Sequence, residues 1–226
     1  MTDISKIFRA YKTLQTMFVD RGYKVSDENL NLSLDDFKKK KLGIDELGGN
    51  GYQGAGTGKL DSKYELIAPK EGEDADIIEK QDICVFWVLK DYGPDADSKV
   101  SADNVKQVII NTLSTGCNRA LMIVRDVTAQ CKKEIEIDPA IKVELFFLDD
   151  LQVNITEHNL VPKHEVLNEE QKYELLKKYR IKDHQLPKIQ SSDPIAKYLG
   201  VNRGTVLKIT RSSETAGKYV TYRHVI

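Results

Sequence analysis

A chain of 226 residues, 40% apolar and 31% charged with a formal net charge of −1, is long enough for one large or two ordinary domains. No run of eighteen apolar residues occurs, which argues against a membrane span, and the opening Met1-Thr2-Asp3-Ile4-Ser5-Lys6 lacks an apolar signal core, which argues against secretion. The three cysteines (Cys84, Cys117, Cys131), odd in number and without Cys-x-x-Cys spacing, suit a reducing compartment and argue against a disulfide or zinc framework.

In chain order, Ile4, Ile7, Phe8, Tyr11, Leu14 and Phe18 share one face, so periodicity predicts a helix over residues 4–21 that Gly22 can end. Ser33 with Asp36 can cap a short helix over residues 34–41 that carries Lys38-Lys39-Lys40-Lys41. Four consecutive lysines cover most of a turn, which suits a solvated face better than one phosphate track. Residues 43–58 hold seven of the fourteen glycines. Gly58-Lys59 has the ring of a phosphate-binding loop, but position 53 is Gln53 where the pattern needs Gly, and position 60 is Leu60 where it needs Ser or Thr. No strand precedes it either, so ATP binding is not expected and a surface loop is.

Tyr64, Leu66 and Ala68 alternate with polar residues as an edge strand would, and residues 71–76 form an acidic loop. Ile83-Cys84-Val85-Phe86-Trp87-Val88-Leu89 is a continuous apolar run of strand length, expected to be buried on both faces. Ser101 is expected to cap a helix in which Val105, Val108, Ile109, Thr112 and Leu113 line one side and Gly116 closes the end. Leu121-Met122-Ile123-Val124 and Val143-Glu144-Leu145-Phe146-Phe147-Leu148 are further strands, separated by a short helix that Thr128 can cap and that runs through Lys133. Strand, helix, strand, helix, strand at this spacing predicts parallel strands with right-handed crossovers. Asp149-Asp150-Leu151-Gln152 reads as a hinge, and Val153-Asn154-Ile155 opens a second domain.

That second domain has strong local signals. Asn168 and Gln171 form a capping box in front of Leu175, Leu176 and Tyr179, one apolar stripe, with Lys177, Lys178 and Arg180 in the last turn. After a turn at His184-Gln185-Leu186-Pro187, Asp193 caps a helix with Pro194 at its first position and Gly200 at its end. Asn202-Arg203-Gly204 turns into the strand of residues 205–210, and Glu214-Thr215-Ala216-Gly217 turns into the strand of residues 218–223. The result is a compact α+β module of two helices and a hairpin. Residues 153–226 carry thirteen Lys and Arg against eight Asp and Glu, net +5, and residues 1–152 carry twenty-one against twenty-seven, net −6.

Candidate chemistry is sparse. Asp91, Asp126, Asp149 and Asp150 fall near the carboxyl ends of expected parallel strands, the edge where ligands bind and where carboxylates could hold magnesium. Asp is also frequent wherever a strand hands over to a loop. A nuclease of the endonuclease-like type would need a carboxylate and a lysine inside the central strands; Phe86-Trp87-Val88-Leu89 has no carboxylate, and Lys90 stands alone. His158, His164, His184 and His224 include no pair at the helical spacing that brings two rings to one zinc, and His158 and His164 suit local hydrogen bonds. No metal site and no catalytic residue is expected.

Several blocks carry a resemblance. They are Leu160-Val161-Pro162-Lys163-His164, Glu174-Leu175-Leu176-Lys177-Lys178-Tyr179, Gln185-Leu186-Pro187-Lys188-Ile189-Gln190, Asp193-Pro194-Ile195-Ala196-Lys197-Tyr198-Leu199-Gly200 and the ending from Ser213 to Arg223. They resemble the fifth of the small subunits shared by the eukaryotic nuclear RNA polymerases, whose carboxy-terminal domain is similar to the small H polypeptide of archaeal RNA polymerase. Asp20-Arg21-Gly22-Tyr23 and Leu34-Asp35-Asp36-Phe37 resemble the amino-terminal domain of the eukaryotic protein. The resemblance implies an α/β endonuclease-like amino-terminal jaw domain over residues 1–150 and a small α+β assembly domain over residues 151–226. It implies a non-catalytic, nuclear common subunit that binds the largest polymerase subunit, other polymerase subunits and, through the complex, downstream duplex DNA, with no cofactor and no membrane. A stand-alone metal-dependent nuclease or nucleic-acid-binding enzyme is the alternative.

Two sets of site residues follow as expectations. Interfaces favour Tyr and Arg, so Tyr179, Tyr198, Arg203, Arg211, Tyr219, Tyr222 and Arg223 are candidates for the largest-subunit contact, although each tyrosine suits core packing equally well. The resembling proteins have a DNA-proximal loop after the strand that ends at Val124. Arg125, Thr128, Lys132 and Lys133 are therefore candidates for phosphate contact, with Asp126 counting against the site.

Overall fold

The structure is a computed structural model, and it describes residues 3–42, 62–64, 82–89, 100–137, 141–213 and 217–226. The glycine-rich stretch 43–58, the acidic loop 71–76, Leu66, Ala68 and Asp91 lie outside the described residues. The chain divides into two compact units, Met1–Val153 and Asn154–Ile226.

In the first unit, helix α1 (Asp3–Asp20) buries Ile7, Ala10, Tyr11, Leu14, Met17 and Phe18. Gly22, at φ 85°, takes the left-handed conformation that lets the chain leave the helix. Helix α2 (Asp27–Leu30) and helix α3 (Leu34–Phe37) follow, and α3 runs on into a π-helical turn, Lys38–Leu42. The Ser33 hydroxyl accepts from the Asp36 amide at 3.2 Å, the expected cap. Phe37 is fully buried, with its ring 5.3 Å from Phe8 and 5.2 Å from Tyr11. The lysine run meets more than solvent: Lys38 pairs with Asp35, Lys40 pairs with Glu28, and the Lys41 ammonium lies over the Tyr11 ring.

Strands β1 (Ser62–Tyr64), β2 (Ile83–Trp87), β3 (Arg119–Val124) and β4 (Lys142–Phe147) form one sheet in that order. β1 is antiparallel to β2, while β2, β3 and β4 are mutually parallel, as the strand–helix alternation predicts. Helices α4 (Ala102–Thr115) and α5 (Ala129–Ile137) are the crossovers. The two-residue alternation of β3 sorts the core. Ala120, Met122 and Val124 pack with Val105, Val108, Val127 and Cys131 on the α4–α5 side. Trp87, opposite Ile123, stacks at 6.3 Å on Tyr11 of α1 on the other side.

Several expectations need correcting. Cys84 and Cys117 are joined as a disulfide, with Cα atoms 6.5 Å apart. Parallel pairing sets Cys84 opposite Ala120, and Gly116, left-handed at φ 72°, turns the chain so that Cys117 arrives beside it. An odd count and the lack of Cys-x-x-Cys carry no information about that register. Leu113 does not line the buried side of α4; it is 58% exposed, because the buried stripe Val105, Val108, Thr112 lies a further step around the helix. Ser101 stands at the cap position of α4, but its side chain makes no capping bond. α5 extends to Ile137, beyond the expected end at Lys133. The expected hinge is a turn of 3-10 helix, Asp150–Gln152, with Leu151 buried.

In the second unit, strands β5 (Lys163–Val166), β6 (Lys188–Ile189), β7 (Val206–Ser213) and β8 (Gly217–Val225) form a sheet in the order β5-β7-β8-β6. The module is thus more than two helices and a hairpin: two short edge strands, too brief to show an alternation in the sequence, flank it. Helix α6 (Glu169–Tyr179) packs Leu175 against Val206, and helix α7 (Pro194–Leu199) brings Leu199 against Leu207 and Val225. Val206 and Leu207 point to opposite faces of the sheet, so the two helices cover opposite faces. Both expected caps are present. Asn168 and Gln171 close a capping box, and Asp193 accepts from the Ile195 amide at 2.9 Å with Pro194 first in the helix and Gly200 left-handed at its end.

Candidate interfaces with partner chains and nucleic acid

The seven candidate interface residues of the second unit do not share one surface. On the α6 face, Tyr179 stands at the end of its helix, 55% exposed, with its ring 6.4 Å from Tyr222, which packs partly against Leu175 and Val206. Tyr179 is therefore not part of the inward stripe of buried Leu175 and half-buried Leu176. Lys178 lies over its ring at 5.9 Å. On the α7 face, Arg211 and Tyr219 are directly opposed across β7 and β8, with the guanidinium 5.0 Å above the Tyr219 ring. Arg223, four residues further along β8, points the same way and is exposed. Arg203 is exposed on the turn before β7. Tyr198 is only 3% exposed and belongs to the core, so it presents nothing to a partner.

The candidate nucleic-acid loop divides as well. Val100 and Val127 form an isolated parallel bridge, and Thr128 completes it: its amide and its hydroxyl both donate to the Val100 carbonyl, at 3.4 and 3.3 Å. The same hydroxyl accepts from the Cys131 amide at 3.3 Å, the expected cap of α5. With its one proton committed to Val100, the Thr128 hydroxyl serves the fold rather than a phosphate. Arg125 is half-buried, whereas Lys132 and Lys133 are exposed on the first turns of α5, Lys132 lying 6.0 Å over the Phe147 ring. Asp126 uses one carboxylate oxygen on the Val127 amide at 2.8 Å.

Comparison with known proteins decides the family. The family model described as RNA polymerase Rpb5, C-terminal domain, matches residues 153–225, and that described as RNA polymerase Rpb5, N-terminal domain, matches residues 1–49. Relatives named as DNA-directed RNA polymerases I, II, and III subunit RPABC1 from Caenorhabditis briggsae and Caenorhabditis elegans are each 35% identical, over 98% of this chain and 96% of theirs. One from Dictyostelium discoideum with the same designation is 38% identical over 71% of this chain and 85% of its own. The chain belongs to the Rpb5 family. The relatives are named as polymerase subunits, and the stand-alone nuclease reading finds no counterpart among them.

Two of the four carboxylates suspected of metal binding, Asp126 and Asp149, have local duties in this Rpb5-family chain. Asp149 accepts from the Gln152 side chain at 2.6 Å, and Asp126 holds its own neighbour's amide. Among the described residues no group of three or more His, Cys, Asp and Glu gathers, and no helix is long and apolar enough to cross a membrane. The His158 ring accepts from the Leu160 amide at 3.2 Å and the His164 ring bonds the Pro162 carbonyl at 2.7 Å, the local roles expected of both.

Sequence reading missed one charged constellation. Glu144 of β4, its side chain 12% exposed, pairs with Arg21 at 2.9 Å, with Arg119 of β3 at shorter range, and with Lys142 at 4.0 Å. Burial pushes the Glu144 carboxyl up, but Arg21, Arg119 and Lys142 together hold it below the ordinary carboxylate range. Tyr23 joins the group; burial raises its hydroxyl while Arg119 and Arg21 oppose the rise. A glutamate in mid-strand among apolar neighbours was the available signal, since a buried carboxylate requires a partner. In the second unit, Glu165 is held down at about 2 by hydrogen bonds from Lys163 and Lys208, the latter its cross-strand partner.

Proposed function

We propose that this chain is a non-catalytic common subunit of DNA-directed RNA polymerase, working in the nucleus, in which Asn154–Ile226 binds the largest subunit and Met1–Val153 forms part of the jaw beside downstream duplex DNA. The observation that carries the reading is the 35% identity with the RPABC1 relatives over 96% of their length, which spans both units rather than one. Exposed Tyr179, Tyr219, Arg203, Arg211 and Arg223, with half-buried Tyr222, support an interface on the second unit, since exposed Tyr and Arg are the residues interfaces favour. Three parallel strands with α1 on one face and α4 and α5 on the other support an endonuclease-like jaw. Within that jaw, Arg125, Lys132 and Lys133 are the phosphate contacts, and Thr128 acts by fixing the start of α5.

Affinity purification of the tagged full chain tests the subunit role: stoichiometric recovery with the very large polymerase subunits is expected, and a chain recovered alone would refute it. Replacing Arg125, Lys132 and Lys133 together by Ala tests the jaw contact. Assembly should persist, and elongation complexes should dissociate at lower potassium concentration with a shallower salt slope, because fewer counterions are released. Superimposed lifetime curves would remove this loop from the DNA path.

A further inference from the structure

Both faces of the second sheet are cationic at their strand positions, and they differ in whether a carboxylate lies among the cations. On the α6 face, Glu165 of β5 sits among Lys163 and Lys208. On the α7 face, the alternation of the four strands brings Arg211, Tyr219, Thr221 and Arg223 to the surface around a floor of Ile209, with Val166 of β5, 47% exposed, at one side. None of the described strand positions on this face carries a carboxylate. We infer that this face docks an acidic protein segment, the charges being complementary and the apolar floor receiving its side chains. The inference rests on the subunit reading and deepens it, by naming the chemistry of the partner segment and the side of the sheet on which it lies.

Two features favour protein over nucleic acid as the occupant. The Arg211 guanidinium already covers one side of the Tyr219 ring at 5.0 Å, so the ring has lost half of what a stacked base would use. The floor is a buried isoleucine beside an exposed valine, which suits apolar side chains better than phosphates. Arg211, pre-aligned over the ring, and Arg223 meet no carboxylate on the described strand positions of their own face, and they present forked donors that a carboxylate matches in pairs.

The test uses the tagged full chain made in cells alongside the untagged polymerase, and reads the ratio of tagged chain to the largest subunits in purified polymerase. Arg211→Glu with Arg223→Glu should lower incorporation about tenfold or more, while Lys218→Glu, an exposed cation on the opposite face of the same hairpin, should leave it within about twofold. Far-UV circular dichroism checks that the hairpin folds. Should the reversal unfold it, the neutral pair Arg211→Gln with Arg223→Gln decides, and should release the chain at about half the salt concentration that releases wild type. Wild type recovered with polymerase while both double variants incorporate normally would overturn the inference and leave the subunit reading intact. Release of wild type by nuclease would assign the face to nucleic acid and overturn it too. Wild type absent from polymerase would instead refute the subunit reading itself.

Discussion

Glu144→Gln is the substitution that the first unit should tolerate least for its size. It keeps the volume of the side chain and removes one charge. Arg21, 3% exposed in its side chain, and Arg119, 15% exposed, then keep two guanidinium charges away from water without the carboxylate that lay between them. Removing one partner of a buried ion pair costs about 3–5 kcal/mol, most of it the penalty of the stranded charge. In a unit of this length that corresponds to a fall of roughly 6–20 °C in the melting midpoint. Trp87 is the only tryptophan in the chain, 2% exposed in the first unit, so its fluorescence follows this unit alone during urea unfolding of the intact protein. The pH dependence separates charge from packing. Because the folded Glu144 carboxyl titrates below its unfolded value of about 4.3, its contribution is fully present above that value and is lost as pH falls through the folded one. The gap between wild type and Glu144→Gln should therefore be constant from neutral pH down to about 5 and close on further acidification. A gap under about 1 kcal/mol at pH 7, or one that does not narrow in acid, would refute the account of a charge held by its neighbours.

Two further outcomes are expected. Asp193→Ala should cost the second unit about 1 kcal/mol through loss of its bond to the Ile195 amide, whereas Lys197→Ala, exposed on the same helix, should change the midpoint by less than half as much; far-UV melts compare them, and equal shifts would refute the capping assignment. Thiol titration of the unfolded, unreduced protein should find Cys131 alone and, after reduction, all three cysteines; reduction should also weaken the first unit by about 3–4 kcal/mol for a closure of 33 residues, and three titratable thiols before reduction would refute the pairing.

What the sequence made legible depends on how far apart the interacting residues lie. The caps at Asn168, Asp193 and Thr128 are interactions across two or three residues, and residue type with spacing was sufficient to find them. The buried strands 83–87 and 119–124 announce themselves by apolar content, and their parallel pairing by the helices between them. Cys84 with Cys117, and Glu144 with Arg21 and Arg119, depend instead on which residue of one strand meets which residue of the next. Composition does not encode that register. Thr128 shows how one unread contact changes a role: nothing near it in sequence signals that Val100 lies alongside and takes its hydroxyl proton.

The candidate interface on the second unit is a different case, because the decisive signal was present. Tyr219 and Arg223 are four residues apart on one strand and Tyr222 is three from Tyr219, so period-two alternation alone sends Tyr222 to the other face. The seven residues chosen for their type could never have formed one patch. Two surfaces follow, the Tyr179–Tyr222 shelf beside α6 and the Arg211–Tyr219–Arg223 strip beyond α7. They differ in what they can recognise, the first presenting aromatic rings and the second a cationic surface around a stacked ring. A single flat partner cannot bury both. If both are occupied in the assembled polymerase, the bound chain must wrap an edge of this sheet, or two separate segments must meet it from opposite sides.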